Sequence, residues 1–329
     1  MRSIELHIPL AAGSHVAASV FLPEPDALPD WPIIVFASPG GGYARGYFDL
    51  RLPGRTGYSQ AEHHTGRGFI LVAYDHLGAG GSSTAGLETL TIEAIAAADD
   101  AAVREIARRL AEGTLVDGFP PLKRMIRIGI GQSMGGGVTI LMQGRHRTFD
   151  AIAPLGYSAI HTVLPQQTDE ARERGKAIFE FSRQTDPLDL SVAETSLRVP
   201  DFIYPFHWED VPTEIVRADL GSGFPVRNPM PPWASATIPN CVVAMMAPSY
   251  VKDEASMVDV PVLMGFGERD TSQTPWLEPV AFPNSADISV FVVPRMAHMH
   301  NFASTRHRLW DRIADWSEMV ADDLRRRQT

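Results

Sequence analysis

Arg127-Ile128-Gly129-Ile130-Gly131-Gln132-Ser133-Met134-Gly135-Gly136-Gly137 is the stretch whose reading decides the fold. A β-branched run leads into a glycine-serine-glycine turn, and a helical pattern follows from about Val138 to Met142. Gly131-Gln132-Ser133-Met134-Gly135 has the form G-x-S-x-G, a sharp strand-to-helix turn that lifts one serine hydroxyl above a sheet. The turn draws the Gly131 and Gly135 backbones together, so a Cβ at either position is expected to clash. A rival reading uses the same glycines. Gly129, Gly131 and Gly135 come close to a dinucleotide-binding loop, which needs an acidic residue about 20 positions on, closing the next strand. Asp150 stands at that distance, but it precedes the apolar run Ala151-Ile152-Ala153-Pro154-Leu155 instead of ending it. The serine turn is therefore the better reading.

Composition narrows the class. A chain of 329 residues holds one large α/β domain with an insertion, or two small domains. A hydrophobic content of 44% supports a full core. The formal net charge of -10 argues against nucleic acid or an anionic membrane as the main partner. Arg325-Arg326-Arg327 reads as a solvated helix end. The single cysteine, Cys241, excludes an intrachain disulfide and fits a reducing compartment. Its neighbours Val242 and Val243 point to a buried thiol. Met1 to His7 lack the apolar core of a signal peptide, and no run approaches the ~18 apolar residues of a membrane span. A soluble, cytoplasmic protein is expected.

Working outward from the turn, strands and helices alternate. Ile4 to Ile8 and His15 to Leu22 alternate apolar with polar around Ala12-Gly13, a β-hairpin pattern. Pro32 to Ala37 reads as a buried strand and runs into Ser38-Pro39-Gly40-Gly41-Gly42-Tyr43. A short helix is expected over Gln60 to Thr65, a strand over Phe69 to Tyr74 and a long helix within Glu88 to Glu112. Phe149 to Tyr157 is the strand after the turn, and the order argues for a mainly parallel sheet. Residues 159–258 then break the pattern, with 11 of the 26 prolines. Helical pieces are plausible there near Asp169 to Phe181 and Pro212 to Ala218. Val260 to Asp270 restores a strand and ends in a G-x-x-D turn. Ile288 to Val293 is the last strand, followed by Ala297-His298-Met299-His300, and Thr305 to Arg326 carries the stripe of an amphipathic closing helix.

Serine is a weak nucleophile until a base takes its proton. Histidine titrates near neutrality and suits that role, and a carboxylate fixes its tautomer. Ser133, Asp270 and His298 supply the three groups, each after an expected strand and so on one rim of a parallel sheet. Their order Ser…Asp…His, with the turn at Ser133, resembles the α/β-hydrolase superfamily. The Asp75-His76-Leu77-Gly78-Ala79-Gly80-Gly81-Ser82 run is similar to that superfamily's D-x-x-G-x-G-x-S loop, a structural signature rather than a catalytic one. Pro39-Gly40-Gly41-Gly42 looks like its HGGG-type loop with proline in place of histidine.

The resemblance implies a mostly parallel sheet of about eight strands with helices on both faces, and an inserted, mainly helical cap. Residues 1–158 and 259–329 then form the core and residues 159–258 the cap. The resemblance implies Ser133 as nucleophile, His298 as base and Asp270 as orienting acid, with His300 and Glu268 as the competing histidine and acid. It implies Gly41 and Met134 as the oxyanion donors, with Gly42 in reserve, and no cofactor or metal. Tyr43, Phe206 and Trp208 are candidates to line the pocket, with Trp233, Met245 and Met246 as further candidate contacts; the bland alternative is the core edge for Tyr43 and the cap's own small core for the others. The expected reaction is hydrolysis of a small to medium apolar or aromatic carboxylic ester through a Ser133 acyl-enzyme. An acyltransferase or thioesterase on the same triad, or a non-catalytic ligand-binding protein, are the alternatives. The expected partner is a small-molecule ester, and self-association through the cap, giving a homo-oligomer, stays open.

Overall fold

A computed structural model of the chain describes residues 1–175, 191–196, 199 and 201–327. Its strands are β1 (Arg2–Pro9), β2 (His15–Leu22), β3 (Ile33–Ser38), β4 (Ile70–Tyr74), β5 (Ile126–Gln132), β6 (Ala151–Leu155), β7 (Val262–Arg269) and β8 (Ile288–Ala297). They form one eight-stranded sheet in the order β1-β2-β4-β3-β5-β6-β7-β8. β1 pairs antiparallel with β2, and β2 with β4. All pairings from β4 through β3 to β8 are parallel. The mainly parallel eight-stranded sheet expected from the sequence is the one observed.

Parallel strands covered on both faces must be apolar on both sides, and β3 shows how. Ile34 and Phe36 join a core with the helices α2 (Ile92–Glu112) and α3 (Met134–His146), through Ile95, Val103, Ile106, Val138 and Leu141. Ile33, Val35 and Ala37 join the opposite core, with Leu309, Ile313 and Trp316 of the closing helix Arg306–Arg327. The period-2 alternation of β3 and the 3.6-residue stripes of the helices meet across these two layers.

α2 begins at Ile92, inside the expected stretch, where the Thr91 side chain accepts a hydrogen bond from the Ala94 N–H and caps it. One helix start differs from the sequence pattern. α3 begins at Met134 instead of Val138, so Gly135, Gly136 and Gly137 are helical. Packing overrides the poor helix propensity of glycine here. A Cβ on Gly135 would stand 2.4 Å from the Ser38 carbonyl oxygen, and one on Gly137 would stand 2.8 Å from the Tyr157 ring.

Between β6 and β7 the described residues form short helices and turns, and none of them is a strand of the sheet. A helix covers residues 169–175, and its expected continuation to Phe181 lies outside the described residues. The helix expected over Pro212 to Ala218 spans Thr213–Leu220. Phe206, Val211, Ile215 and Trp233 pack into the core below one sheet face. Cys241, Met245, Val251, Ala255 and Val258 pack into the other. The thiol of Cys241 is buried as expected, and burial pushes its pKa up to about 12.

Candidate active site

The G-x-S-x-G turn joins β5 to α3. Ser133 has φ 54° and ψ −120°, a left-handed backbone rare for a residue with a Cβ. The turn is held by hydrogen bonds from the Ser133 N–H to the Leu155 carbonyl (2.7 Å) and from the Gly136 N–H to the Ser133 carbonyl (2.8 Å). A Cβ on Gly131 would lie 2.1 Å from the Gly135 carbonyl oxygen, which is why that position is glycine. Asp150, the acid of the dinucleotide reading, accepts from the Arg127 N–H (2.8 Å) and guanidinium (3.0 Å) at the start of β5. It stands at the opposite end of the strand from Ser133.

The carboxyl ends of β5, β7 and β8 bring three expected residues together. Ser133 Oγ lies 2.9 Å from His298 Nε2, and His298 Nδ1 lies 2.7 Å from Asp270 Oδ1. With Asp270 ionised, Nδ1–H donates to it and Nε2 is left to accept the serine proton. Asp270 is buried, and burial alone would raise its pKa. The two imidazoles beside it and their hydrogen bonds hold it well below the usual carboxylate range instead. The Gly267 N–H (2.8 Å) and Thr271 N–H (2.7 Å) also donate to it.

The two residues left as competitors have other places. His300 Nε2 lies 2.6 Å from Asp270 Oδ2, on the far side of the carboxylate from His298. It meets Asp270 and not Ser133, so the His-x-His pair shares one carboxylate. Glu268 is exposed and accepts from the Arg295 N–H at 2.8 Å, away from Ser133.

The glycine loop passes directly beside Ser133. A Cβ on Gly40 would be 3.1 Å from Ser133 Cβ. Gly41 and Met134 both line the cavity into which Ser133 opens. Gly42, in contrast, has φ +78°, and its carbonyl accepts from Arg227 Nη1 at 2.8 Å. Behind the loop, His76 Nε2 meets the Pro39 carbonyl (3.0 Å) and Nδ1 meets Asp99 (2.5 Å), both side chains being buried. Burial works against a charge on His76, but Asp99 holds its pKa above the ordinary value. Asp75, as a structural residue, accepts from the Arg45 N–H (2.6 Å) and Gly81 N–H (2.8 Å).

Tyr43 and Phe206 line the cavity, whereas Trp208 does not. The Trp208 ring lies 4.6 Å from the Arg269 guanidinium and is half-buried there. Several functional neighbours had no sequence signal. Gln132 Nε2 donates to the His298 carbonyl (3.0 Å), tying the elbow to the histidine loop. Phe202 and Phe224 line the cavity from the irregular segment. Buried Asp219 accepts from Tyr43 Oη (2.7 Å), Trp233 Nε1 (3.0 Å) and Arg227 Nη2 (3.2 Å), and lies 2.9 Å from His207 Nε2. Of these, Tyr43 was legible as an aromatic beside the glycine loop and Trp233 as a candidate contact from the irregular segment.

Sheet order, nucleophile turn and rim geometry together define an α/β-hydrolase fold. Solved structures agree over nearly the whole chain. An esterase from Thermogutta terrifontis is 16% identical with a TM-score of 0.60, over 97% of this chain and 99% of that one. A monoglyceride lipase from Saccharomyces cerevisiae is 16% identical with a TM-score of 0.62, over 96% and 94%. A haloalkane dehalogenase variant from Bradyrhizobium elkanii is 13% identical with a TM-score of 0.62, over 99% and 100%. No protein-family model matches the chain, and no curated protein sequence matches it. The similarity thus fixes the α/β-hydrolase fold, and fold alone does not choose the reaction.

Proposed function

We propose that the protein is a serine hydrolase that cleaves carboxylic esters, with Ser133 as nucleophile, His298 as general base and Asp270 as the acid that orients it. The observation that carries this reading is the unbroken chain of contacts Ser133 Oγ–His298 Nε2 (2.9 Å) and His298 Nδ1–Asp270 Oδ1 (2.7 Å). In the first half-reaction His298 takes the Ser133 proton while Oγ forms a bond to the ester carbon. The carbonyl electrons move onto oxygen, where the backbone N–H groups of Gly41 and Met134 are the proposed donors. Collapse breaks the bond to the alcohol oxygen, which leaves with the proton from His298. Water then attacks the acyl-enzyme, His298 again takes a proton, and breaking the Oγ–acyl bond returns that proton to Ser133 and frees the acid.

Residues 159–258 are proposed to include the cover of this site. The residues of this segment that line the cavity run from Thr162 to Met246, whereas Val251, Ala255 and Val258 pack into the core with α2 and α3. The proposed substrate is a small-molecule ester of small to medium size with apolar or aromatic parts. Among the described lining residues no Lys, Arg, Asp or Glu faces it. Among the described residues no helix is long and apolar enough to cross a membrane, and a cytoplasmic location is proposed from the single, buried cysteine.

Ser133→Ala tests the reading. Turnover of p-nitrophenyl acyl esters should fall by at least about 10³-fold, and a fluorophosphonate probe should label the parent on Ser133 alone. Turnover by the variant at the parent rate would refute the assignment.

A further inference from the structure

We infer that the substrate is directional: an aliphatic acyl group esterified to an alcohol that carries an aromatic ring. This rests on the proposed roles of Ser133 and His298. The leaving alcohol must receive its proton from His298 Nε2, so it lies on the His298 side of the tetrahedral carbon. The oxyanion faces Gly41 and Met134, and the acyl chain takes the remaining direction, over the elbow helix.

The two sides differ in chemistry. Beside His298 the wall is aromatic. The Phe206 ring stands 5.5 Å from the His298 imidazole, centroid to centroid. Phe224 meets Phe206 edge-on at 4.9 Å and 87°, and Phe202 meets it at 5.4 Å. Phe202 and Phe224 are only half-buried, so the cluster keeps ring surface available, and all three line the cavity. An incoming ring can join such a cluster in offset or edge-to-face geometry. Over the elbow the wall is mostly aliphatic and thioether, with a single aromatic ring, Tyr157, beside Met245. Ile238 and Val242 come within 3.0 and 3.3 Å of where a Gly41 Cβ would be, and the Met245 methyl within 2.4 Å of a Gly137 Cβ. Unbranched alkyl chains suit flexible methionine and aliphatic surface.

Polar recognition is scarce on either side. The hydroxyl of Tyr43 donates to Asp219, that of Tyr157 to the Met245 carbonyl, that of Ser196 to the Val192 carbonyl and that of Thr271 to the Gly156 carbonyl. A sugar, amino acid or phosphate ester would have to leave its polar groups unpaired here, which is costly. Among the described lining residues the side-chain exceptions are Thr195 Oγ1 and Gln132 Oε1, both buried and without a partner.

Two isomeric esters, benzyl butanoate and propyl phenylacetate, test the direction, since they exchange the aromatic and aliphatic ends while keeping the same atoms. With the full-length protein, kcat/KM should favour benzyl butanoate about tenfold, and Phe206→Leu should narrow that ratio at least about threefold. Phe224→Leu, at a half-buried position, should narrow it in the same sense and serves if the first variant does not fold. Equal or reversed rates, or a ratio unchanged in both variants, would overturn the inference. Turnover of neither ester while a fluorophosphonate still labels Ser133 would overturn the inference and spare the serine chemistry. Failure of the label as well would overturn both.

Discussion

Asp270 is the residue on which the site's electrostatics converge. Both of its oxygens accept two donors, one imidazole and one backbone N–H each. His300 is buried and its Nδ1 has no partner. The Nε2–H of His300 donates to Asp270 Oδ2 at 2.6 Å. Loss of a hydrogen bond to a charged group costs about 1.5–3 kcal/mol. His300→Phe should therefore lower stability by about that amount and, by loosening the carboxylate proposed to orient His298, lower kcat about tenfold, with little change in KM. Its acid limb should move to higher pH, because an Asp270 with fewer donors stabilises the His298 imidazolium more. His300→Gln, whose amide reaches the same oxygen, should recover most of the rate. Steady-state pH profiles of the three proteins check this, and equal profiles would show His300 to be packing alone. Ser133, Asp270 and His298 were legible because each follows a strand whose pattern is local. His300's contact was not, since it depends on how the 3-10 turn His300–Phe302 closes beneath β7.

At the scale of elements, the segment Ile203–Ser235 is fastened by one buried charge network. Arg227 donates to Asp219, to the Gly42 carbonyl and to the Pro225 carbonyl. Its guanidinium also lies 4.5 Å from the centre of the Tyr43 ring. The network joins the helix Thr213–Leu220 to the proposed oxyanion loop. Asp219 is buried, which alone would raise its pKa, but His207, Arg227 and Tyr43 draw it below the ordinary value. A carboxylate depressed in the folded state contributes stability above its unfolded pKa, and that stability is lost as pH falls through the folded pKa. Asp219→Asn should cost about 3–5 kcal/mol at neutral pH, because it strands the buried Arg227 charge. Urea unfolding across pH should show the gap between parent and variant steady down to about pH 5 and closing below about pH 4. A gap that persists in acid would mean the carboxylate's charge is not what holds the segment. None of this was readable beforehand, because Tyr43, His207, Asp219, Arg227 and Trp233 carry no shared periodicity. Only the fold brings them to one point.

On the scale of the whole molecule, the proposed cover has one small cluster of its own among the described residues, Val192, Val243 and Ala244 with Ile238 and Tyr250 beside them, and otherwise shares the sheet's cores. Residues before Pro239, including Phe206, Val211, Ile215 and Trp233, share one hydrophobic cluster with Trp316 of the closing helix and with β3. Residues after it share the other cluster with α2 and α3. Proline density marked where the regular α/β pattern stops, since proline is disfavoured in central strands and helix interiors. It could not mark where the chain rejoins the core, because the helix Lys252–Met257 and the turn before it return as short apolar contacts without a strand's alternation. Segments that bury their apolar surface against the sheet have no stable state apart from it, so the chain should unfold as one unit. Fluorotryptophan labelling gives each of the six tryptophans its own 19F signal. The native signals of Trp233, in the covering segment, and Trp316, in the closing helix, should disappear at the same urea midpoint. Loss of Trp233 at clearly lower urea, with Trp316 still native, would show that the cover opens as an independent unit. The apolar contacts at Phe206 and Ile215 would then contribute little to holding it over Ser133.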